Sequence, residues 1–288
     1  MPELPEVERA VRRLREAAVG KTIAKVSLHH PALKRRISPA KLRSLKDARV
    51  RDVERRGKHQ LFLLEDGRVI HAHFRMTGDW LVDSTAEALP RFARASVDFT
   101  DGSRVILEDP RALGTLDLHA ADSPPNLGLG PEPGDASLTA VSLRGAFSKK
   151  RGPIKPVLLD QRVIAGLGNI YAAESLWHSK ISPKTAASKL TPKQVASLLA
   201  SIRKVIKAAT GARYTDSSVS RLAVYDREGK PCRRCKTTIE RIVLGGRSTC
   251  FCPQCQKPPR TRRAGSKKGR GVTTLSRLAV GRKTADAS

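Results

Sequence analysis

Four of the five cysteines have the spacing of a metal site. Cys232 and Cys235 form one Cys-x2-Cys pair, and after sixteen intervening residues Cys252 and Cys255 form a second. Two such pairs on a β-hairpin bring four thiolates around one tetrahedral ion, which predicts a zinc site. Because thiolates fill all four positions, we expect one Zn²⁺ with a structural role. Cys250 lies outside both pairs and is expected to be a small buried strand residue.

The start of the chain carries a second candidate group. It reads Met1-Pro2-Glu3, and proline is small enough for removal of the initiator methionine to be expected. Pro2 would then carry a free secondary amine. An α-amino group has a pKa of about 7.7–8.0, against about 10.4 for lysine, so part of it is neutral and nucleophilic at about pH 7. The plainer alternative is a proline that only starts a helix.

The charge balance indicates the partner. Fifty-five Lys and Arg against 27 Asp and Glu give a formal net charge of +28. Such a field attracts polyanions over roughly 8 Å at physiological salt, so nucleic acid is the expected partner. The alternative is the basic surface of an extremophile or ribosome-associated protein.

Several classes of protein are disfavoured. No apolar run approaches the roughly 20 residues that span a bilayer, and the acidic N-terminus does not resemble a basic leader. An odd, clustered set of cysteines in a chain without a leader favours metal over disulfides. We therefore expect a cytoplasmic, nucleoid-associated monomer with no membrane partner.

The first part of the chain predicts a helix followed by a β-domain at 1–120. Residues 3–19 place Val7, Val11 and Leu14 on one apolar stripe, and Gly20 is positioned to end the helix. Period-two patterns then predict strands, at 22–28, 60–64, 68–74, 95–100 and 103–108. Asp66-Gly67 and Asp101-Gly102 mark hairpin turns, so the domain is expected to be a sandwich or barrel.

The rest of the chain divides by composition. The predicted segments are a Pro/Gly-rich hinge at 121–137, a helical domain at 138–222, a zinc ribbon at 223–257 and a basic disordered tail at 258–288. The clearest helix is 191–209, with Thr191 as N-cap and Pro192 at the first helical position. The tail has nine Lys or Arg against one acid and is expected to add nonspecific DNA affinity.

The chain start, Met1 to Glu8, closely resembles that of formamidopyrimidine-DNA glycosylases, the Fpg/MutM family. Further motifs follow in the family's order, namely Gly57-Lys58, Phe74-Arg75-Met76-Thr77-Gly78, Asp109-Pro110-Arg111, Gly166 to Ala172, and Cys255-Gln256-Lys257. The resemblance covers about residues 1–257. It implies an α+β multidomain fold with a helix-fronted β-sandwich, a helix–two-turn–helix domain and a zinc ribbon, with damaged double-stranded DNA in the cleft between them.

The resemblance also implies roles in catalysis. Pro2 would attack C1′ of the damaged nucleotide, expel the base and form an iminium, after which β- and δ-elimination cut the strand. Glu3 matches the general acid and Lys58 the lysine assigned to β-elimination. Arg247, near the tip of the ribbon, matches the arginine that grips the flanking phosphates and is linked to δ-elimination. Glu6 is left open between a place in the lesion pocket and a favourable charge at a helix start.

DNA-binding residues follow from the same resemblance. Asn169 matches a phosphate ligand, and the further phosphate candidates are Lys150 and Lys155. Met76 and Arg111 match two of three residues that fill the void left by a flipped nucleotide. Two positions depart from the family, since Leu113 stands where phenylalanine is usual and Arg94 where a histidine is expected.

Substrate preference is the main open question. Relatives carry a long loop that caps everted 8-oxoguanine, whereas here only residues 210–222 are available. Oxidised purines are the expected substrates, with formamidopyrimidines or hydantoins expected to be better than 8-oxoguanine, which stays a possible substrate. The alternatives are a Nei-like glycosylase for oxidised pyrimidines and a non-catalytic damaged-DNA-binding protein. Leu4 favours the Fpg side, because the sister branch usually has glycine there. Intact Pro2, Glu3 and Lys58 argue against a non-catalytic binder.

Overall fold

The computed structural model describes residues 2–211 and 222–258. Most of the predicted capping segment and nearly all of the predicted basic tail lie outside the described residues. The described residues all belong to one compact unit, Met1–Pro258. Among them, no helix combines the length and the apolar character needed to cross a bilayer.

After the first helix, the chain forms mainly strands up to residue 119, then helices, and the last described elements are two strands. The helices are α1 Leu4–Ala18, α2 Pro31–Lys34, α3 Pro39–Arg43, α4 Ala140–Ser148, α5 Ile154–Leu159, α6 Asn169–His178 and α7 Pro192–Gly211. The strands are β1 Ile23–Leu28, β2 Val50–Arg56, β3 His59–Leu64, β4 Val69–His73, β5 Asp79–Ser84, β6 Ala93–Phe99, β7 Ser103–Glu108, β8 Thr115–His119, β9 Glu240–Leu244 and β10 Arg247–Phe251.

Helix α1 forms because its apolar residues recur at helical spacing. Val7, Val11 and Leu14 are fully buried against the sandwich. Glu3 caps the helix, with a capping box to Glu6. Gly20 has φ +78°, which a glycine adopts without strain after the last turn. The predicted helix at 3–19 is confirmed to within one residue at each end.

The strands form a sandwich of two antiparallel four-stranded sheets, in the orders β1-β6-β7-β5 and β2-β3-β4-β8. Phe62 of β3 and Trp80 of β5 meet edge-to-face across the core, with ring centroids 5.4 Å apart. The five predicted strands are confirmed as β1, β3, β4, β6 and β7. The sequence analysis missed β2, β5 and β8.

The helical part packs around a second core. Residues 120–139, all of them described, hold no helix or strand. The hinge at 121–137 stays a prediction. Helices α4 to α7 follow. Thr191 caps α7 as predicted, because its Oγ1 accepts from Gln194 N at 3.2 Å while the Gln194 side chain accepts from Thr191 N at 2.9 Å.

The last described element is a hairpin of β9 and β10. Its turn, Gly245-Gly246, has two positive φ angles, which suits a two-residue hairpin. A third cluster of buried residues joins this ribbon to Trp177 of α6. Cys250 is buried in β10, which confirms the expectation for the fifth cysteine.

Candidate active site and nucleic-acid interface

Glu3 joins the start of the chain to the helical domain. Its side chain is fully buried at the N-terminus of α6. The carboxylate accepts backbone N–H groups from Gly168 at 2.8 Å, Ile170 at 2.8 Å and Tyr171 at 3.3 Å. A helix start offers unpaired N–H donors and a favourable field for an anion. The position of Glu3, and with it the adjacent Pro2, is therefore set by α6.

The same burial makes the Glu3 carboxyl a weaker acid than an exposed glutamate. Burial raises the pKa of the Glu3 carboxyl to about 7, although the nearby charge of Lys58 and the N–H donors from Ile170 and Tyr171 oppose the rise. The Glu6 carboxylate, also nearby, adds to the rise. A carboxyl with a pKa near neutrality can be protonated and act as a general acid at about pH 7.

Two glycines make the docking of Glu3 possible. Gly166 has φ +86°, and a Cβ there would come within 2.6 Å of the Leu4 side chain. A Cβ on Gly168 would overlap the side chain of Glu3 itself. Leu4 N also donates to Gly166 O at 3.0 Å. The glycine-rich loop therefore admits the chain start at a distance that other residues would prevent.

Glu6 lies one turn along α1, on the same side as Glu3. Its Oε2 accepts from Glu3 N at 2.9 Å, and its Oε1 accepts from the Tyr171 hydroxyl at 2.6 Å. Arg9 lies 3.5 Å from the same carboxylate. Glu6 thus helps to hold α1 against α6, and it also lines a small cavity beside Pro2.

Lys58 is held in a tight turn between β2 and β3. Gly57 occupies this turn with φ +59° and donates its N–H to Glu132 Oε1 at 2.6 Å. Arg55 forms ion pairs at 2.7 Å with both Glu132 and Glu8. Glu132, between β8 and α4, and Glu8 of α1 therefore fix the turn that presents Lys58. The sequence analysis missed this network, whose only signal was an acid in the Pro/Gly-rich segment.

Lys58 lies near both Glu3 and Arg247. Burial lowers the pKa of the Lys58 ammonium, and the positive charge of Arg247 lowers it further, while Glu3 and Glu6 oppose this shift. A larger neutral fraction makes the amine more effective in proton transfer. Glu3 and Lys58 are thus two neighbouring proton-transfer groups, and Glu3 is adjacent to Pro2 in the chain.

A cleft of about 540 Å³ brings together three of the seven predicted DNA-binding residues and two of the predicted catalytic residues. Its lining includes Lys58, Arg75, Met76, Leu113, Asn169 and Arg247. Arg247 comes from the first position of β10 and Asn169 from the first position of α6. The cleft thus receives side chains from the sandwich, the helical domain and the ribbon.

Arg111 and Leu113 lie in the loop between β7 and β8, and Leu113 lines this cleft. Asp109 shapes this loop, since its carboxylate accepts from the backbone N–H groups of Leu113 at 2.7 Å and Arg111 at 3.2 Å and from the Thr77 hydroxyl. Arg94 donates from Nε to Asp109 O at 2.6 Å. Arg94 therefore braces the loop that carries Arg111 and Leu113, and Asp109 is a shaping residue that sequence analysis missed.

Lys155 differs from its prediction as a direct phosphate ligand. It is fully buried, and its Nζ donates to Asn169 Oδ1 at 2.6 Å, Ser248 O at 2.8 Å and Thr249 Oγ1 at 2.8 Å. All three N–H groups are thus used inside the protein. Burial also lowers the pKa of Lys155 to about 8. Lys155 is placed to position Asn169 rather than to meet DNA.

Lys150 remains on the surface. Its Nζ lies 3.5 Å from Asp160 Oδ2, and the lysine side chain is partly exposed. An exposed pair of this kind is weak and can exchange its partner for a phosphate. Lys150 therefore stays a candidate for a peripheral DNA contact.

The four predicted cysteine ligands converge at the base of the ribbon. The Sγ atoms of Cys232, Cys235, Cys252 and Cys255 all lie within 4.8 Å of one another. Individual separations are 3.4 Å for Cys235–Cys252 and 4.0 Å for Cys232–Cys255. A tetrahedron with about 2.3 Å from zinc to sulfur has edges of about 3.8 Å, so the cluster has the size of a four-thiolate site.

Comparisons with known proteins agree with this architecture. Family models match in three blocks, the formamidopyrimidine-DNA glycosylase N-terminal domain at residues 1–116, its H2TH domain at 129–220, and the zinc finger found in FPG and IleRS at 229–258. A helix-fronted sandwich followed by an H2TH domain and a zinc finger is the architecture of a DNA-repair glycosylase.

Similar proteins span nearly the whole chain. The formamidopyrimidine-DNA glycosylase of Paracoccus denitrificans is 37% identical over 281 residues, covering 89% of this chain and 100% of that protein. That of Chloroflexus aggregans is 40% identical, covering 89% and 98%. The Lactococcus lactis enzyme, solved non-covalently bound to AP-site DNA, matches with a TM-score of 0.82 and 30% identity, covering 88% and 99%. The chain belongs to the formamidopyrimidine-DNA glycosylase family, a family of DNA glycosylase/AP lyase enzymes.

Adding one methyl group to Gly168 tests whether the site depends on the docking of Glu3 on α6. We expect Gly168→Ala to lower the single-turnover rate of base excision by about 10²-fold, because displacing Glu3 by even about 1 Å misplaces the reacting groups. Gly145→Ala is the matched control, since a Cβ at this position in α4 meets nothing within 4 Å. A Gly168→Ala protein with the native rate and a native circular dichroism spectrum would contradict this account of the site.

Proposed function

We propose that this protein is a bifunctional DNA glycosylase and AP lyase, which excises oxidised bases from duplex DNA and then cuts the strand. One observation carries the proposal. The Glu3 carboxylate, adjacent to Pro2 in the chain, is docked on the N-terminus of α6, and the first residue of α6, Asn169, lines the cleft that also contains Lys58 and Arg247. A nucleophile, an acid and phosphate-binding cations thus meet at one place.

The first chemical step is assigned to Pro2. With Met1 removed, its neutral secondary amine attacks C1′, and a C1′–N bond to the protein forms as the bond to the base breaks. The base leaves with its electron pair and takes up the proton that the Pro2 nitrogen loses. Protonated Glu3 donates its proton to the sugar ring oxygen, which opens the ring and leaves a cationic iminium on Pro2.

Lys58 and Arg247 are assigned to the later steps. The iminium makes the C2′ protons acidic, and the partly neutral Lys58 amine accepts one of them, so β-elimination expels the 3′ phosphate. A second elimination releases the 5′ phosphate. Arg247 is placed in the cleft to hold these phosphates while their bonds break.

The cleft also supplies the grip on DNA. Asn169 and Arg247 bind the phosphates flanking the everted nucleotide, with Lys150 as a peripheral contact. Met76 and Leu113, both in the lining, enter the void in the stack. Arg111, on the loop braced by Arg94, faces the orphaned base. The protein is expected to act as a monomer on one lesion at a time.

The preferred lesions are proposed to be formamidopyrimidines and hydantoins. The structural neighbours include the Lactococcus lactis enzyme in complex with Fapy-dG-containing DNA and with DNA containing an oxidised pyrimidine. A fold of this type therefore admits both ring-opened purines and altered pyrimidines. The Nei-like alternative, a glycosylase for oxidised pyrimidines, therefore stays open.

The four-cysteine cluster is proposed to hold one structural Zn²⁺. The ligand set is four thiolates, which zinc prefers in closed structural sites. Trp177 Nε1 donates to Cys232 Sγ at 3.5 Å, a typical supporting contact around a metal ligand. Bound zinc would fix the ribbon that carries Arg247.

Borohydride trapping tests the role of Pro2. The native protein is expected to form a covalent adduct with abasic DNA when the iminium is reduced. Pro2→Gly is expected to lower the adduct yield by about 10²-fold, which is the size of the contribution of one well-placed catalytic group. Pro31→Ala, at the start of α2, controls for the loss of a helix-starting proline. An intact mass that still includes Met1 in active protein would refute the assignment.

The pH profile tests Glu3. Its raised pKa means that the acid form is present below about pH 7 and is lost above it, so base release should fall on the alkaline side. Lys58→Met removes a charge that lowers this pKa, and should therefore move the alkaline limb to higher pH. Lys193→Met, exposed on α7, is the control. A limb that stays in place in Lys58→Met, measured by base release alone, would contradict the coupling.

Zinc content and zinc affinity test the four-cysteine site. Metal analysis should find one zinc per chain, and Cys235→Ser should lower zinc affinity at least about tenfold, with loss of DNA binding. Cys250→Ala is the matched control, because this buried cysteine lies outside the cluster and should leave the zinc content at one. An unchanged zinc affinity in Cys235→Ser would argue against a four-cysteine site.

A further inference from the structure

Gln161 lies in the loop between α5 and α6, a few residues before the glycines that admit Glu3. Its side chain lines the cleft, where a polar group is a candidate for a DNA contact. The structure uses this side chain inside the protein instead. Nε2 donates to Leu159 O and to Leu167 O, both at 2.9 Å, and Oε1 accepts from Gly166 N at 2.9 Å. Both N–H groups of the amide are thus already paired.

These three hydrogen bonds close the loop that carries Gly166 and Gly168. Leu159 is the last residue of α5, and Leu167 lies two residues before the start of α6, so one side chain joins the two ends of the connection. The loop holds no regular helix or strand. Its conformation therefore depends on hydrogen bonds such as those of Gln161, because its backbone groups need partners outside a regular ladder.

The peptide unit between Leu167 and Gly168 connects Gln161 to Glu3. Its carbonyl oxygen, Leu167 O, accepts from Gln161 Nε2, and its N–H group, on Gly168, donates to Glu3 Oε2 at 2.8 Å. A carbonyl that accepts a hydrogen bond polarises its peptide unit and makes the N–H of that unit a stronger donor. Gln161 therefore strengthens one of the donors that hold the Glu3 carboxylate.

Gly166 gives a second connection to the chain start. Its N–H group donates to Gln161 Oε1, and its carbonyl oxygen accepts from Leu4 N at 3.0 Å. Leu4 directly follows Glu3 in the chain. The Gln161 side chain therefore holds two residues of the loop, and these two bond to two consecutive residues at the start of the chain.

The backbone of Gln161 leads to the second proton-transfer group. Gln161 O accepts from Gly130 N at 2.9 Å. Gly130 lies two residues before Glu132, whose carboxylate fixes the turn that presents Lys58. A Cβ on Gly130 would lie 2.2 Å from Arg162 O, so the close approach of the two segments requires glycine. Gln161 therefore joins the segment that positions the acid to the segment that positions the amine.

We propose that Gln161 is a positioning residue for the general acid, and that it acts on Glu3 through the Leu167–Gly168 peptide unit and through Gly166. It contributes to the reaction only through these contacts. Without its side chain, the Gly168 N–H is a weaker donor, and the loop loses the bonds that hold it against the chain start. This inference rests on the proposed function, because it uses Glu3 as the acid that protonates the sugar ring oxygen.

The direction of the expected pH effect follows from these contacts. A hydrogen bond donated to the charged form of a carboxyl lowers its pKa. A weaker Gly168 N–H donor therefore raises the pKa of Glu3, and the protonated acid persists to higher pH. A negative charge introduced at position 161 acts in the same direction, because it disfavours a second anion nearby. Loss of the Gln161 amide should thus move the alkaline limb of base release to higher pH.

Other groups also act on Glu3, and substitution of Gln161 leaves them in place. The charged and titratable groups that interact with Glu3 include Lys58, Glu6, Lys155, Tyr225 and the adjacent Pro2 amine. The charge of Lys58 lowers the pKa of Glu3, and the charge of Glu6 raises it. A change in this pKa after substitution of Gln161 is therefore assigned to the loop.

Two substitutions test the role of Gln161. Gln161→Met keeps the length of the side chain and removes all three hydrogen bonds, whereas Gln161→Glu keeps an acceptor for Gly166 N, loses both donors and adds a charge. Single-turnover base release from a formamidopyrimidine duplex should fall about tenfold in each. The alkaline limb should move up by about 0.3 pH unit in Gln161→Met and further in Gln161→Glu. Gln194→Ala is the control, since Gln194 also bonds to a backbone N–H but at the start of α7.

The position of the limb separates positioning of the acid from a general structural role. A lower rate with the limb at its native pH in both variants would overturn the proposal, and so would native rates. The pH of the limb does not depend on the folded fraction, so a partly unfolded variant still gives a valid result. If the native protein itself releases no base and forms no borohydride adduct, the proposed function fails. An active native protein with an unmoved limb in both variants refutes the role of Gln161 alone.

Discussion

A buried carboxylate at the start of a helix is the constraint on which the site depends. Ionised Glu3 would be costly to bury, and the N–H groups at the N-terminus of α6 compensate for part of that cost. Nothing larger than hydrogen fits on Gly168 without moving the carboxylate. The chain start therefore has one place to dock, and this place fixes the position of Pro2 next to the buried carboxylate.

The same burial sets the proton chemistry. Low solvation raises the pKa of the Glu3 carboxyl and lowers the pKa of the Lys58 ammonium. The two pKa values therefore shift toward neutral pH from opposite sides. The two groups also oppose each other's shifts, because each charge stabilises the other. The balance between them depends on Gly57 and Glu132, which hold the Lys58 turn at its distance from Glu3.

Local patterns predicted much of the fold, and contacts remote in sequence account for most of the rest. Cysteine spacing predicted the four-thiolate cluster, and a helical stripe predicted α1, because both signals are short-range. Strand β2, with the sequence Val-Arg-Asp-Val-Glu-Arg-Arg, was missed because five of its seven side chains are charged, and only two valines mark its inner face. Glu132 was missed because its partner Arg55 lies 77 residues earlier.

Lys155 shows why a family resemblance predicts the neighbourhood of a residue better than its contacts. From sequence, a lysine near Asn169 in a basic chain is a natural phosphate ligand. In the structure its three donors join Asn169 of α6 to Ser248 and Thr249 of β10. Removing a buried ammonium from this set would leave its acceptors unsatisfied. The lysine therefore fastens the ribbon to the helical domain, so that Asn169 and Arg247 reach the cleft from two elements held in a fixed relation.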